Sequence, residues 1–190
     1  MSTLNELTEK RQSIRKYDSA KAVTREQLEQ LVRCAQMAPS WKNRQATRYH
    51  VASTPEAVEA TRKCLLGSNY AKTEGVGALV VVTFVRDCVG FSHPRLAVGT
   101  ADKSKVEADN ELGNGWGCFD AGAQSMLLQL KASEIGLDTL VIGIRDADAL
   151  RQTMNIPEEE TVTAVIAVGH RAEQPTRPPR RPMEEIAAFL

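Results

Sequence analysis

The segment Arg11-Gln12-Ser13-Ile14-Arg15 sets a guanidinium on either side of a hydroxyl, with one residue between successive members of the set. In an extended chain, residues i, i+2 and i+4 point to one side, so Arg11, Ser13 and Arg15 would face one spot. In a helix, Arg11 and Arg15 would still share a face and Ser13 would leave it. Either arrangement offers a forked cationic clamp. Such a clamp suits a phosphate through bidentate, charge-assisted hydrogen bonds. A solvated basic patch near the N-terminus is the plainer alternative.

The elements that must position these residues follow from the spacing of apolar and capping residues. Thr24-Arg25-Glu26-Gln27 is a capping-box pattern, and Leu28, Leu31, Val32 and Ala35 continue at helical spacing until Pro39. Arg48 to Ala52 reads as a short strand. Thr54-Pro55 starts a helix expected to reach Leu66. The run from Gly77 to Val85 is rich in β-branched residues and predicts a strand buried on both faces. Arg86 to about Gly117 is long, polar and irregular, and predicts a lid or binding loop. Cys118 to Glu134 is strongly helical, with Ala121, Met126, Leu127, Leu130 and Ala132 as core candidates and Gly136 placed to cap it. Thr139 to Ile144 predicts a strand, Asp146 to Met154 a short helix closed by Asn155 and Pro157, and Thr161 to Val168 a last buried strand.

The tail from His170 differs. Half of the chain's eight prolines lie between Pro175 and Pro182, interleaved with Arg177, Arg180 and Arg181. That composition predicts an extended arm. No repeat or linker divides the 190 residues, so residues 1–190 are expected to form one domain. The order predicts an α+β fold: a mixed sheet flanked by helices, with an extended C-terminal arm.

Composition narrows the function. Lys plus Arg number 24 and Asp plus Glu number 24, a balance that argues against general nucleic-acid binding and leaves room for a local anion site. No apolar run approaches the length of a membrane span, and the first residues lack the pattern of a signal peptide, so a cytoplasmic protein is expected. Cys34, Cys64, Cys88 and Cys118 are widely spaced with no CxxC, and read as reduced thiols. His50, His93 and His170 have no metal-ligand spacing. No nucleophile elbow supports a serine triad. Gly113-Asn114-Gly115-Trp116-Gly117 lacks the full dinucleotide fingerprint and a preceding buried strand, and reads as a flexible hinge before the helix.

Put in order, these pieces resemble the FMN-dependent nitroreductase family over nearly the whole chain. The resemblance rests on the R-x-S-x-R of Arg11, Ser13 and Arg15, and on Pro39, Ser40, Asn43 and Gln45 after the second helix. It continues through Asn69 and Lys72 before the central strand, Asp120-Ala121-Gly122 through Leu128, and Gly136-Leu137-Asp138-Thr139 through Ile142-Gly143. It ends at Arg180-Arg181-Pro182-Met183-Glu184-Glu185. The chain departs from the family pattern at Trp41, Ala46, Ile144 and Pro178.

The resemblance implies FMN as cofactor, held in a homodimer with shared sites. Arg11, Arg15 and Arg180 would hold the phosphate and Ser13 would add a hydroxyl. Asn43, Asn69 and Lys72 would meet the edge of the ring system; read alone, Asn69 and Lys72 could equally be a helix cap and a solvated lysine. Pro39, Ser40 and Asn43 would come from the second subunit. Leu140, Ile142 and Gly143 would lie along the flavin, with a backbone N–H near Gly143 reaching its N5. Trp41 could wall the pocket, stack on the ring or serve the dimer interface. Phe91, His93, Trp116 and Phe119 could line the substrate side. The implied activity is NAD(P)H-dependent reduction of electron-poor acceptors such as nitroaromatics or quinones by a ping-pong mechanism, with no single acid or base singled out. Other chemistry on the same fold, such as dehalogenation, dehydrogenation or flavin breakdown, and a non-catalytic FMN-binding dimer are the alternatives.

Overall fold

The computed structural model describes residues 3–86, 88 and 114–190. These form a four-stranded sheet between two helical layers. In chain order the described elements are α1 (Leu4–Lys10), α2 (Arg25–Ala35), β1 (Thr47–Ala52), α3 (Pro55–Arg62), α4 (Asn69–Lys72), β2 (Ala78–Val85), α5 (Gly115–Glu134), β3 (Asp138–Ile142), α6 (Ala147–Met154) and β4 (Glu160–Gly169). The sheet order is β1-β2-β4-β3, so β1 and β3 are its edges.

Alternation along β2 assigns the two faces of the core. Leu79 and Val81 pack with Val58 of α3, Leu150 of α6, and Leu140 and Ile142 of β3. Ala78, Val80 and Val82 pack with Leu28 and Leu31 of α2 and with Ala121, Leu128 and Ala132 of α5. Residues 78–84 are all buried, as the run rich in β-branched residues predicts. The sheet expected to be mixed is antiparallel in every strand-to-strand ladder. Its parallel component among the described residues is one bridge, Ser13 to Thr139.

Local signals place α2, α3 and α6 where expected. Thr24 and Gln27 cap α2 reciprocally, Thr54 caps α3 with Pro55 at its first turn, and Asp146 caps α6. Asn155 closes α6 in the left-handed conformation. Three expectations need correction. The helix from Pro55 ends at Arg62 rather than Leu66, because Leu65 pairs with Arg145 instead. Residues 115–117 are the first turn of α5 and not a hinge: Gly117 packs so closely on Phe84 that a Cβ would lie 2.3 Å from the ring. The core face of α5 also differs, since Leu128 is fully buried whereas Met126 is 37% exposed and Leu127 and Leu130 are half-buried. The stripe runs 117, 121, 124, 128, 132, at helical period. The lid expected from Arg86 to Gly117, with Phe91 and His93, lies outside the described residues except at its ends.

The two sides of α5 can be told apart in solution. Leu128→Ala is expected to lower unfolding free energy by about 3 kcal/mol, in the range of buried Leu truncations, and Met126→Ala by well under half of that. Urea denaturation of both variants checks it; equal losses would mean that α5 is rotated from the position described.

Candidate functional site

At the β3 edge the N-terminal segment is extended, the first of the two arrangements considered for Arg11, Ser13 and Arg15. Ile14 donates its N–H to the Thr139 carbonyl at 3.0 Å and is 1% exposed. With Ile14 turned inward, alternation turns Ser13 and Arg15 outward. Arg15 rests on the Ser13 carbonyl at 3.2 Å. Tyr17 is buried behind Ile14 and donates its hydroxyl to the Ile14 carbonyl at 3.0 Å.

Arg11 sits at the end of α1, where Arg177 and Arg180 of the C-terminal arm come close. Burial, with the positive charge of those two arginines, pushes the Arg11 guanidinium below its ordinary value. Among the described residues, no carboxylate pairs with Arg11, Arg15, Arg177 or Arg180. Arg180 leans on the carbonyls of Pro178 and Pro179. Arg177 was not singled out by the sequence, where it looks like any other cation of the tail. Arg15 and Lys72 line one open cleft of about 700 Å³ with Lys16, Tyr17 and Ser68.

Above this end, the turn after β3 is tied down by side chains. Asn69 Nδ2 donates to the Ile144 carbonyl at 3.0 Å. Arg145 donates to the carbonyls of Gly143 and Val162 at 2.7 and 2.6 Å. Leu140 and Ile142 are core residues, 5% and 2% exposed, so only their backbone is available to a ligand; Val141, at 45%, is the exposed side chain. A Cβ added at Gly143 would meet nothing within 4 Å. The chain's own packing therefore does not require glycine there, and open space lies alongside.

The second group of expected residues lies at the other sheet edge. Residues 39–45 lead into β1, and Lys42, Asn43 and Gln45 all have positive φ, at 47°, 56° and 51°. Non-glycine residues rarely adopt this conformation, and such strain persists only where surroundings enforce it. Ser40 Oγ accepts the Gln45 N–H at 2.9 Å, and Asp120 accepts the Trp41 N–H on both oxygens, at 3.1 and 2.9 Å. Gln45 also donates its side-chain amide to Asn43. Pro39 and Asn43 are exposed, and Ser40 and Trp41 are half-buried. Trp41 lies 6.2 Å from Trp116, which meets Phe119 edge-on at 5.6 Å, and Lys42 Nζ stands 4.7 Å above the Trp41 ring. The sequence marks Asp120 as part of the Asp120-Ala121-Gly122 motif but does not foresee its contact with Trp41, which lies far away along the chain.

No described hydrogen bond, ring contact or cleft joins this loop to the β3 end. Three strand spacings separate the two edges, about 14 Å. A cleft of about 490 Å³ between α2 and β1 is lined by Arg25, Leu28, Val32 and Val51 and contains none of the expected site residues.

The described residues thus form an α+β fold, an antiparallel sheet between helical layers with cations unpaired by carboxylates at one edge and a strained aromatic loop at the other. The chain belongs to the Nitroreductase family, which it matches over residues 8–170. It is 26% identical over 186 residues to an FMN reductase [NAD(P)H] of Bacillus subtilis (strain 168), covering 96% of this chain and 71% of that protein. The nitroreductase family protein of Streptococcus pneumoniae TIGR4 superposes with a TM-score of 0.85 at 20% identity, covering 99% of this chain and 100% of that one. A presumed nitroreductase in complex with FMN from Exiguobacterium sibiricum 255-15 superposes with a TM-score of 0.79 at 21% identity, covering 100% and 98%. No described helix is long and apolar enough to cross a membrane.

Asp120 yields a test of the loop's support. Burial pushes its carboxyl above the ordinary range, and the Trp41 N–H opposes only part of that shift. The folded protein therefore holds this proton to higher pH than the unfolded chain. Stability contributed by the neutral form is lost as pH rises from the unfolded to the folded value. Asp120→Asn keeps an acceptor for Trp41 and removes the charge. Its stability relative to the parent should rise between about pH 4, near the ordinary carboxylate value, and pH 7. Urea denaturation at the two pH values measures this; an unchanged difference would show that Asp120 does not carry the shift.

Proposed function

We propose that the protein is an FMN-dependent oxidoreductase that takes reducing equivalents from NAD(P)H and passes them to electron-poor acceptors such as nitroaromatics or quinones. The observation that carries the proposal is the docking of Arg177 on the carbonyls of Thr8, Glu9 and Arg11, with Arg180 near enough to Arg11 to repel it and no carboxylate among the described residues paired with any of the three. A dianionic phosphate supplies the charge that this cluster lacks. The open space at Gly143 and the cleft shared by Arg15 and Lys72 favour a ligand larger than phosphate alone. Family membership and the names of its relatives point the same way.

Bound FMN would supply hydride acceptance from the nicotinamide and electron delivery to the acceptor, in turn, at one slot. The chain's own residues hold and tune it. Arg11, Ser13, Arg15 and Arg180 bind the phosphate. Lys72 places a cation at the ring edge, where it favours negative charge on the reduced ring. Asn69 and Arg145 fix the turn at Gly143, so its backbone is presented in one orientation. Trp41, Trp116 and Phe119 form an aromatic wall suited to planar acceptors.

The active unit is a homodimer with shared sites. Pro39, Ser40, Trp41 and Asn43 stand at the sheet edge opposite to the phosphate end, so a second copy must supply them to a complete site. Phe119 and Met126 leave apolar surface exposed on α5, the helix that supports this loop. The protein is expected in the cytoplasm.

The deciding experiment is the visible spectrum of protein mixed with FMN, desalted, and then treated with NADH or NADPH without oxygen. A retained flavin spectrum that bleaches is expected. Retained flavin that stays oxidised would favour a binding protein, and no retained flavin would sink the proposal. Arg11→Ala should weaken FMN binding roughly tenfold, the worth of one charge-assisted hydrogen bond, with the circular dichroism spectrum unchanged.

A further inference from the structure

The C-terminal arm is fastened to the body at two places of different kinds. Its root is locked beside β4. Arg171 grips the buried Asp138 through its side chain and also donates its backbone N–H to Asp138 at 2.9 Å. Ala172 donates its N–H to the Lys16 carbonyl at 3.0 Å, and Lys16 pairs with Glu173 at 2.8 Å. Beyond that root, residues 175–190 have one hydrogen-bonding tie to the rest of the described chain. It is Arg177, whose Nη2 lies 2.7, 2.5 and 3.0 Å from the carbonyls of Thr8, Glu9 and Arg11.

Those carbonyls are at the end of α1, where a helix leaves its last carbonyls without partners and concentrates negative charge. One nitrogen has two hydrogens, so the three oxygens share them. The attachment uses neutral acceptors and leaves the positive charge uncancelled, next to Arg11 and Arg180. Two prolines, Pro178 and Pro179, separate Arg177 from Arg180. Proline fixes φ and stiffens the chain, so the position of Arg177 is passed on to Arg180 rather than lost in a flexible spacer.

We propose that Arg177 is a positioning residue: it latches the arm to the end of α1 and, through the stiff Pro178–Pro179 spacer, presents Arg180 beside Arg11, so that arm docking and binding of the flavin phosphate are coupled. This rests on the phosphate assignment of Arg11 and Arg180 made above. The coupling is reciprocal. An anion between the guanidiniums relieves the repulsion that opposes docking, and a docked arm raises affinity for the anion.

Two measurements on the full chain test it. Affinities for FMN and for riboflavin, which lacks the phosphate, are measured by flavin fluorescence for the parent, Arg177→Ala and Arg177→Lys. Arg177→Ala is expected to lose roughly tenfold in FMN affinity with riboflavin affinity unchanged. Arg177→Lys, which can still donate to carbonyls, recovers part of the loss. Equal losses for both flavins, or no loss for either, overturn the latch.

The second measurement does not need the flavin. Trypsin does not cleave readily before proline, so Arg180–Arg181 is its one good site in residues 175–190. Release of the 181–190 fragment, followed by mass spectrometry, should slow when inorganic phosphate is added to the parent. In Arg177→Ala it should be faster and insensitive to phosphate. Phosphate that protects parent and variant alike overturns the proposal. A parent that binds no FMN but shows phosphate protection lost in Arg177→Ala would refute the cofactor and leave the latch standing.

Discussion

Two consecutive residues at the start of β3, Asp138 and Thr139, anchor both the N-terminal segment and the root of the C-terminal arm. Thr139 accepts the Ile14 N–H and so receives the N-terminal segment as an extended bridge. Asp138, nearly fully buried, accepts from both the backbone and the guanidinium of Arg171 and so receives the root of the C-terminal arm. Burial makes both attachments matter. Removing Arg171 would strand a buried carboxylate, a costlier loss than that of an exposed ion pair. With Ile14 sunk into the core, strand alternation leaves Ser13 and Arg15 no direction but outward. The two ends of the chain are thereby brought together at one short edge of sheet.

Charge is handled in two contrasting ways at that edge. Arg171 is matched by a carboxylate and is spent on structure. Among the described residues, Arg11, Arg177 and Arg180 are met only by carbonyls or by one another. A carbonyl fixes the direction of a guanidinium and leaves its charge intact. The first arrangement holds the arm; the second keeps a positive field available. The same division appears above the cleft, where Asn69 and Arg145 hold the carbonyls of Ile144 and Gly143 and so shape a backbone turn.

The opposite edge relies on strain rather than charge. Lys42, Asn43 and Gln45 stay in the left-handed region because Ser40 and the buried Asp120 tie the loop across its turn. Asp120 is itself placed by the start of α5, where Gly117 lets the helix close on Phe84. Loop conformation, aromatic cluster and helix packing are one unit. A side chain at residue 117 would push Trp116, Phe119 and Asp120 away together.

Much of the fold was legible because its signals are local. Capping at Thr24, Thr54 and Asp146 depends on residues three apart, and the burial of residues 78–84 follows from a run rich in β-branched residues. For residues 11–15 the sequence left an extended and a helical reading open, because the choice depends on pairing with a strand over a hundred residues away. The face of α5 was misread because that helix is apolar on several sides, and only the sheet beneath it selects Leu128 over Met126. Leu140 and Ile142 belonged to the right strand, yet their side chains face the core. Arg177 and Arg180 are alike as residues in a proline-rich tail. By itself the sequence determined which segments become helix, strand and arm, and which residue types could meet a phosphate. Tertiary structure alone decided which cations converge, which are neutralised and which edge each motif occupies, because those depend on long-range pairing and burial that no local pattern encodes.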